Sequence, residues 1–153
     1  MTPAVTLLEK HKHTYELLSF NHDPQADNYG QEVVAKLSLD CESVFKTLVL
    51  KTANNDYVVA ITTVNRTVDT KALAKLVGCK KVAMASASEV ERITGYVLGG
   101  VSPFAQKKRL PTFVYQSALQ QPRIYVSAGK RGVELAIAPD VLAQLLPVKF
   151  GAF

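Results

Sequence analysis

Apolar and polar positions along the chain follow two periods, and the switches between them mark the elements. Val5, Leu7 and Leu8 form one apolar stripe behind Thr2 and Pro3, an N-cap and a first helical residue, and predict a short opening helix to about His11. Residues 15–20 are apolar and partly alternating, a strand that His22-Asp23-Pro24 ends. Val33, Val34 and Leu37 give helical spacing over 30–37. The β-branched runs 44–51 and 57–63 flank Asn54-Asn55-Asp56, whose turn chemistry predicts an antiparallel hairpin. Asp69 suits the N-cap of a helix over 70–77 that Gly78 stops, with a strand over 81–84 after it. Ser86 and Glu89 form a capping box for a helix to about Ile93. Strands are then expected at 96–98, 113–115, 124–127 and 133–137. Pro139 opens a last helix with Val141, Leu142, Leu145 and Leu146 apolar, closed by Pro147. Strands outnumber helices and one pair has a tight turn, so the predicted class is α+β with a mixed or antiparallel sheet.

Composition narrows the class. At 153 residues, 48% of them hydrophobic and 20% charged, the chain fits one domain spanning 1–153 and excludes disordered, collagen-like and coiled-coil proteins. No apolar run approaches the roughly 18 residues of a membrane span, and MTPAVTLLEKHKH lacks the pattern of a signal peptide. The expectation is a cytoplasmic protein with no membrane partner. Cys41 and Cys79 lie far apart with no CxxC spacing, which disfavours a disulfide framework or a zinc knuckle. Lys plus Arg is 18 against 13 acids, a net +5 that favours an anionic partner. The basic groups Lys80-Lys81, Lys107-Lys108-Arg109 and Lys130-Arg131 each adjoin turn signals, and loop-borne clusters are where phosphates are usually met. Any one of them alone is more often a solvated surface, an explanation that weakens for the three together.

Three features could carry chemistry. In the 44–51 strand, Val44, Lys46, Leu48 and Leu50 share one face and Phe45, Thr47 and Val49 the other, so Lys46 is a single cation among apolar neighbours. Such a lysine is either an edge gatekeeper or a site residue. Gly95 and Gly99-Gly100 echo a GxxxxG phosphate loop, but Val101 stands where the lysine belongs, so this is no P-loop. The turn Gly99-Gly100-Val101-Ser102-Pro103 can still aim backbone N–H groups at an anionic or carbonyl oxygen, or be only a tight turn. Gly129-Lys130-Arg131-Gly132 is a GxxG loop, but strands flank it, unlike the helices of a KH module. His11, His13 and His22 have no metal-site spacing, and no GxSxG elbow marks a triad, so neither metal nor cofactor is called for.

Taken in order, Phe45-Lys46-Thr47, Thr94-Gly95-Tyr96 through Gly99-Gly100-Val101-Ser102-Pro103, Lys107-Lys108-Arg109-Leu110-Pro111 and Tyr125-Val126-Ser127-Ala128-Gly129-Lys130-Arg131-Gly132 resemble the YbaK branch of the YbaK/ProX aminoacyl-tRNA deacylases. Met1-Thr2-Pro3-Ala4-Val5 and His22-Asp23-Pro24 fit as well, so the resemblance covers nearly the whole chain. It implies a mostly antiparallel mixed sheet curled into a partial barrel with helices around it. It implies an enzyme that clears cysteine from tRNA(Pro), or from tRNA(Cys), by attack of the substrate's own thiolate. Ala- or Ser-charged tRNA and a non-catalytic RNA 3′-end module are the alternatives. Lys46 is the implied active residue, with Gly100, Val101 and Ser102 polarising the substrate carbonyl. Phe20, Tyr29, Phe45, Thr47, Gly99, Pro103, Ser127, Gly129 and Glu134 shape the pocket by the same analogy, Phe20 standing where a tyrosine hydroxyl is expected and Glu134 where aspartate is usual. Lys107, Lys108, Arg109, Lys130 and Arg131 would hold the acceptor end of an aminoacylated tRNA, with prolyl-tRNA synthetase as the implied partner.

Overall fold

The structure, a computed structural model, describes residues 1–153. The opening stripe folds as helix α1 (Pro3–Lys10), where the Thr2 hydroxyl accepts from the Val5 N–H and Ala4, Val5 and Leu8 turn inward. Strand β1 (Glu16–Ser19) leads to α2 (Tyr29–Leu37), capped by the Asn28 side chain. The predicted hairpin is β2 (Phe45–Thr52) and β3 (Tyr57–Thr63), antiparallel, with Lys46 opposite Thr62 and Thr47 opposite Ile61. Helix α3 (Thr70–Val77) has the Asp69 cap and ends at left-handed Gly78, and β4 (Val82–Met84) follows. Helix α4 (Ala87–Thr94) carries the Ser86/Glu89 capping box and ends at left-handed Gly95. The remaining elements are β5 (Thr112–Tyr115), β6 (Ile124–Lys130), β7 (Val133–Ile137), α5 (Asp140–Leu145) and β8 (Val148–Gly151).

The α+β class holds, but the strands form two sheets. One has the order β1-β7-β6 and the other β4-β2-β3-β5-β8, with the β3–β5 and β5–β8 pairs parallel and the remaining pairs antiparallel. Where one sheet is expected there are two, and neither closes on itself. The sheets meet at one bridge, Val44 to Tyr125, and just beyond it β6 bulges between Ser127 and Lys130. A bulge bends its strand away from a straight course. Because β4 pairs only with Leu50, Lys51 and Thr52, the first half of β2 keeps an open edge.

Two expectations fail. Residues 96–98 are not a strand: positive φ at Gly95 and Gly99 brackets the segment, and Tyr96 turns inward to donate its hydroxyl to the Phe104 carbonyl at 2.6 Å. Strand β8 goes beyond the expected set, because Pro147, Lys149 and Gly151 hide its pattern and its partner β5 is remote in sequence.

The main core lies between the sheets and under α1 and α5, with Leu8, Phe45, Ile61, Phe104, Leu135 and Leu142 at its centre. A second core, of Leu50, Val58, Ala60, Leu73, Phe113 and Phe153, fills the other face of the larger sheet beneath α3. Val49, Val90, Tyr96 and Val101 pack together under α4 and fix the segment that follows it.

Candidate active site

Along the open edge of β2 a cavity of about 220 Å³ separates the two sheets. Residues 45–48 of β2 form one wall, the start of α2 (Asn28, Tyr29, Gly30, Val33) another, Leu98, Gly99 and Val101 a third, and Ser127 and Glu134 the floor from the smaller sheet. Consecutive residues of a strand face opposite ways, so Lys46 and Thr47 can both border the space only because no strand covers this edge. Sites for drug-sized ligands run to about 300–1,000 Å³. This one suits an amino acid residue, not a whole nucleoside.

Lys46 stands on the open edge of β2 and lines the cavity. The Lys46 ammonium donates to the Arg66 carbonyl at 2.6 Å, and burial lowers its pKa. Glu134 is only 2% exposed, and its Oε2 has no hydrogen-bond partner. Burial pushes its carboxyl up to about 8, with the Tyr29 phenol pulling the other way. Burial and the nearby Glu134 in turn raise the Tyr29 phenol, which accepts the Gly132 N–H at 2.7 Å. Thr47 Oγ1 is also buried without a partner. Unpaired buried polar atoms are costly, and these two at one cavity are groups whose bonding a polar ligand could complete.

The glycine turn and the basic hairpin, far apart in sequence, lie against each other. A methyl group on Gly100 would stand 2.9 Å from the Lys130 Cα, and one on Gly99 would stand 2.5 Å from Arg131 Nε. Only glycine permits the Gly100 approach, which seats the turn on the backbone between β6 and β7 and sets Arg131 against Gly99, a residue of the cavity wall. Gly100's N–H is already bonded to the Val97 carbonyl at 2.9 Å, so it is not free to act on a substrate. The N–H groups of Val101 and Ser102 make no hydrogen bond within the protein. Ser102 itself is fully buried, its hydroxyl accepting from Phe104, so it is no nucleophile at the surface of the cavity.

Of the residues expected to gather, Lys46, Tyr29, Phe45, Thr47, Gly99, Val101, Ser127 and Glu134 line this one cavity. Phe20 does not; its ring packs 5.9 Å from that of Tyr29, which brings a phenol to the cavity. Gly129 has positive φ and meets Tyr96, and Pro103 borders a different groove with Lys108 and Arg109. Arg109 donates to the Leu145 carbonyl, while the Lys107 and Lys108 N–H groups bond the carbonyls of Thr94 and Ile93 at the end of α4. That basic run therefore also answers the negative end of a helix dipole. Sequence reasoning missed Asn28, Gly30, Val33, Val44, Leu48, Val64 and Leu98. Gly30 is required by the fold, since a side chain there would strike Val64 at 2.8 Å, a contact with no local signal.

Residues 23–145 match the family described as the aminoacyl-tRNA editing domain. The chain belongs to this family. It is 38% identical over 150 residues to EbsC of Enterococcus faecalis, described as a Cys-tRNA(Pro)/Cys-tRNA(Cys) deacylase, with 97% of this chain and 90% of that one covered. The editing domain also resembles a solved structure described as a trans-editing enzyme for prolyl tRNA synthetase, at TM-score 0.83 and 18% identity over 99% and 97% of the two chains. A second, the hypothetical protein APE2540, gives TM-score 0.82 at 18% identity over 97% and 98%. At such identity these two likenesses establish the editing-domain fold alone. No helix of this editing domain is long and apolar enough to cross a membrane.

Proposed function

We propose that residues 1–153 act as one unit that deacylates mischarged tRNA in trans, with Cys-tRNA(Pro) as the substrate and prolyl-tRNA synthetase delivering it. The reading rests on family membership together with one observation: a single small cavity carries the Lys46 ammonium, the unbonded Val101 N–H and the unpartnered Glu134 carboxyl, without a serine–histidine nucleophile beside them. The relative's described activity supports the choice of amino acid.

An aminoacyl ester is already activated by its ribose, so positioning and stabilising charge on the carbonyl oxygen accomplish more than a strong protein nucleophile. Lys46 holds the terminal ribose-phosphate. The Val101 N–H receives the carbonyl oxygen, with Gly99 and Gly100 seating it. Glu134, flanked by Tyr29 and Ser127, receives the α-ammonium, while Phe45 and Thr47 limit the side chain. The cysteine thiol, whose ordinary pKa is about 8.5, loses its proton and attacks its own carbonyl carbon. The ester C–O bond breaks, the ribose oxygen takes up a proton, and a cyclic thiolactone leaves a free 3′ hydroxyl on the tRNA. Serine and alanine lack this route. Lys107, Lys108, Arg109, Lys130 and Arg131 grip the acceptor phosphates, with Arg131 nearest the cavity.

The test is to incubate the purified protein with Cys-, Ala-, Ser- and Pro-charged tRNA(Pro) and follow the remaining ester. Cysteine-selective loss that vanishes in a folded Lys46→Ala variant is expected. Alanine- or serine-selective loss reassigns the substrate, and tight RNA binding with no ester loss replaces the enzyme by a binding module.

A further inference from the structure

The side chain next to the cavity's cation is itself built for a ligand. Arg66 sits in the turn after β3, where its N–H bonds the Thr63 carbonyl at 3.1 Å and its own carbonyl takes the Lys46 ammonium. Neighbouring Asn65 ties the turn down by donating to Glu42 at 2.9 Å. From this fixed backbone the Arg66 side chain runs outward and lays its guanidinium over the Tyr115 ring, 3.9 Å from the centroid, bonding the Tyr115 hydroxyl. Tyr115 is held in turn by an edge contact with buried Phe153, the ring centroids 5.6 Å apart at 80°. No carboxylate pairs with Arg66. An exposed arginine normally samples many rotamers; here the platform beneath it fixes the plane and leaves the other face open.

We propose that Arg66, supported by Tyr115, is a stacking site for an unpaired nucleobase of the tRNA's 3′ terminus. The proposal rests on the reading of the cavity as the receiver of the aminoacyl group. If the ester sits beside Lys46, Arg66 lies next to the acylated end, because its main-chain carbonyl already takes that lysine's ammonium. Guanidinium planes are established partners for splayed bases in single-stranded RNA, and stacking tolerates any base because each has a π face. A planar site at the exit positions the strand without reading its sequence, which fits a chain with no base-reading motif.

The experiment measures binding of an acceptor-stem hairpin RNA with a single-stranded 3′ tail, intact or with one tail nucleotide made abasic. Wild type, Arg66→Ala, Arg66→Lys and Tyr115→Leu are compared, each checked for folding by circular dichroism. For wild type, an abasic residue at one tail position weakens binding roughly 5- to 100-fold. Arg66→Ala and Tyr115→Leu weaken binding to the intact RNA by a similar factor and show no further loss with that abasic RNA. Arg66→Lys keeps the salt dependence but loses the coupling to the base. If every abasic position costs the variants as much as wild type, the stacking site is refuted. Full rescue by Arg66→Lys makes Arg66 a phosphate contact and also overturns the proposal. If wild type deacylates its substrate while these couplings are absent, only the stacking site fails; if wild type neither binds the hairpin nor deacylates charged tRNA, the functional reading fails with it.

Discussion

Replacing Glu134 by glutamine tests the site and its energetics together. Glu134 stands opposite Leu18 and Ser127 in the smaller sheet, is 2% exposed, and leaves Oε2 without a partner. Burial raises its pKa from 4.5 to about 8. Between those two values the folded protein keeps a proton that the unfolded chain releases. Stability is therefore full below about pH 4.5, falls as pH rises through the window, and levels off above about pH 8. Each tenfold difference in proton affinity between the folded and unfolded chain is worth about 1.4 kcal/mol, so the whole window amounts to up to about 5 kcal/mol. Glutamine matches the protonated acid in shape and cannot ionise. Urea unfolding from pH 4.5 to 9 should give Glu134→Gln and wild type similar stability at the acid end and a variant more stable by several kcal/mol at pH 9. The same variant should bind the aminoacyl end less well, because an incoming α-ammonium can draw the proton off Glu134 and pair with the carboxylate, whereas glutamine cannot ionise. Parallel stability curves for the two proteins across the whole range would falsify the account of Glu134 as a strained, unpartnered acid.

Other consequences are as specific. Gly100→Ala forces a methyl group to 2.9 Å from the Lys130 Cα, a backbone atom that cannot swing aside, so melting should show a loss of about 1–3 kcal/mol and deacylation should fall further as Val101 and Ser102 shift. Arg131→Ala should leave the fold intact and reduce the slope of log K against log salt for RNA binding by about one; an unchanged slope removes Arg131 from the phosphate contacts. Glu32, although burial pushes it up, is held down to about 2 by the Asp23 N–H, Lys36 and His22. Its contribution is present above about pH 4.5 and is lost as pH falls toward 2, so Glu32→Gln should flatten the acid side of the stability curve measured by denaturant titration.

Local signals determined most of the secondary structure. Thr2-Pro3, Asp69 with Gly78, and Ser86 with Glu89 act within a few residues of themselves, and each marks a helix that forms. The hairpin over 44–63 is equally legible, because its turn and its β-branched flanks are contiguous. The motif order also points to the family, since Lys46, the Gly99-Gly100 turn and the Gly129–Gly132 hairpin can be recognised one after another.

What the sequence could not decide is everything that depends on where remote segments meet. The separation into two sheets follows from the bulge in β6 beyond a single bridge to Val44, and β8 exists only because β5 lies alongside it. The cavity arises because one edge of β2 is left open while α2 and the 98–101 turn close over it. A glutamate after a hairpin turn looks solvated in one dimension; only burial in the folded chain pushes its carboxyl up to about 8. Tyr29, not Phe20, supplies the phenol beside it, because helix packing and not chain position decides which ring reaches the site.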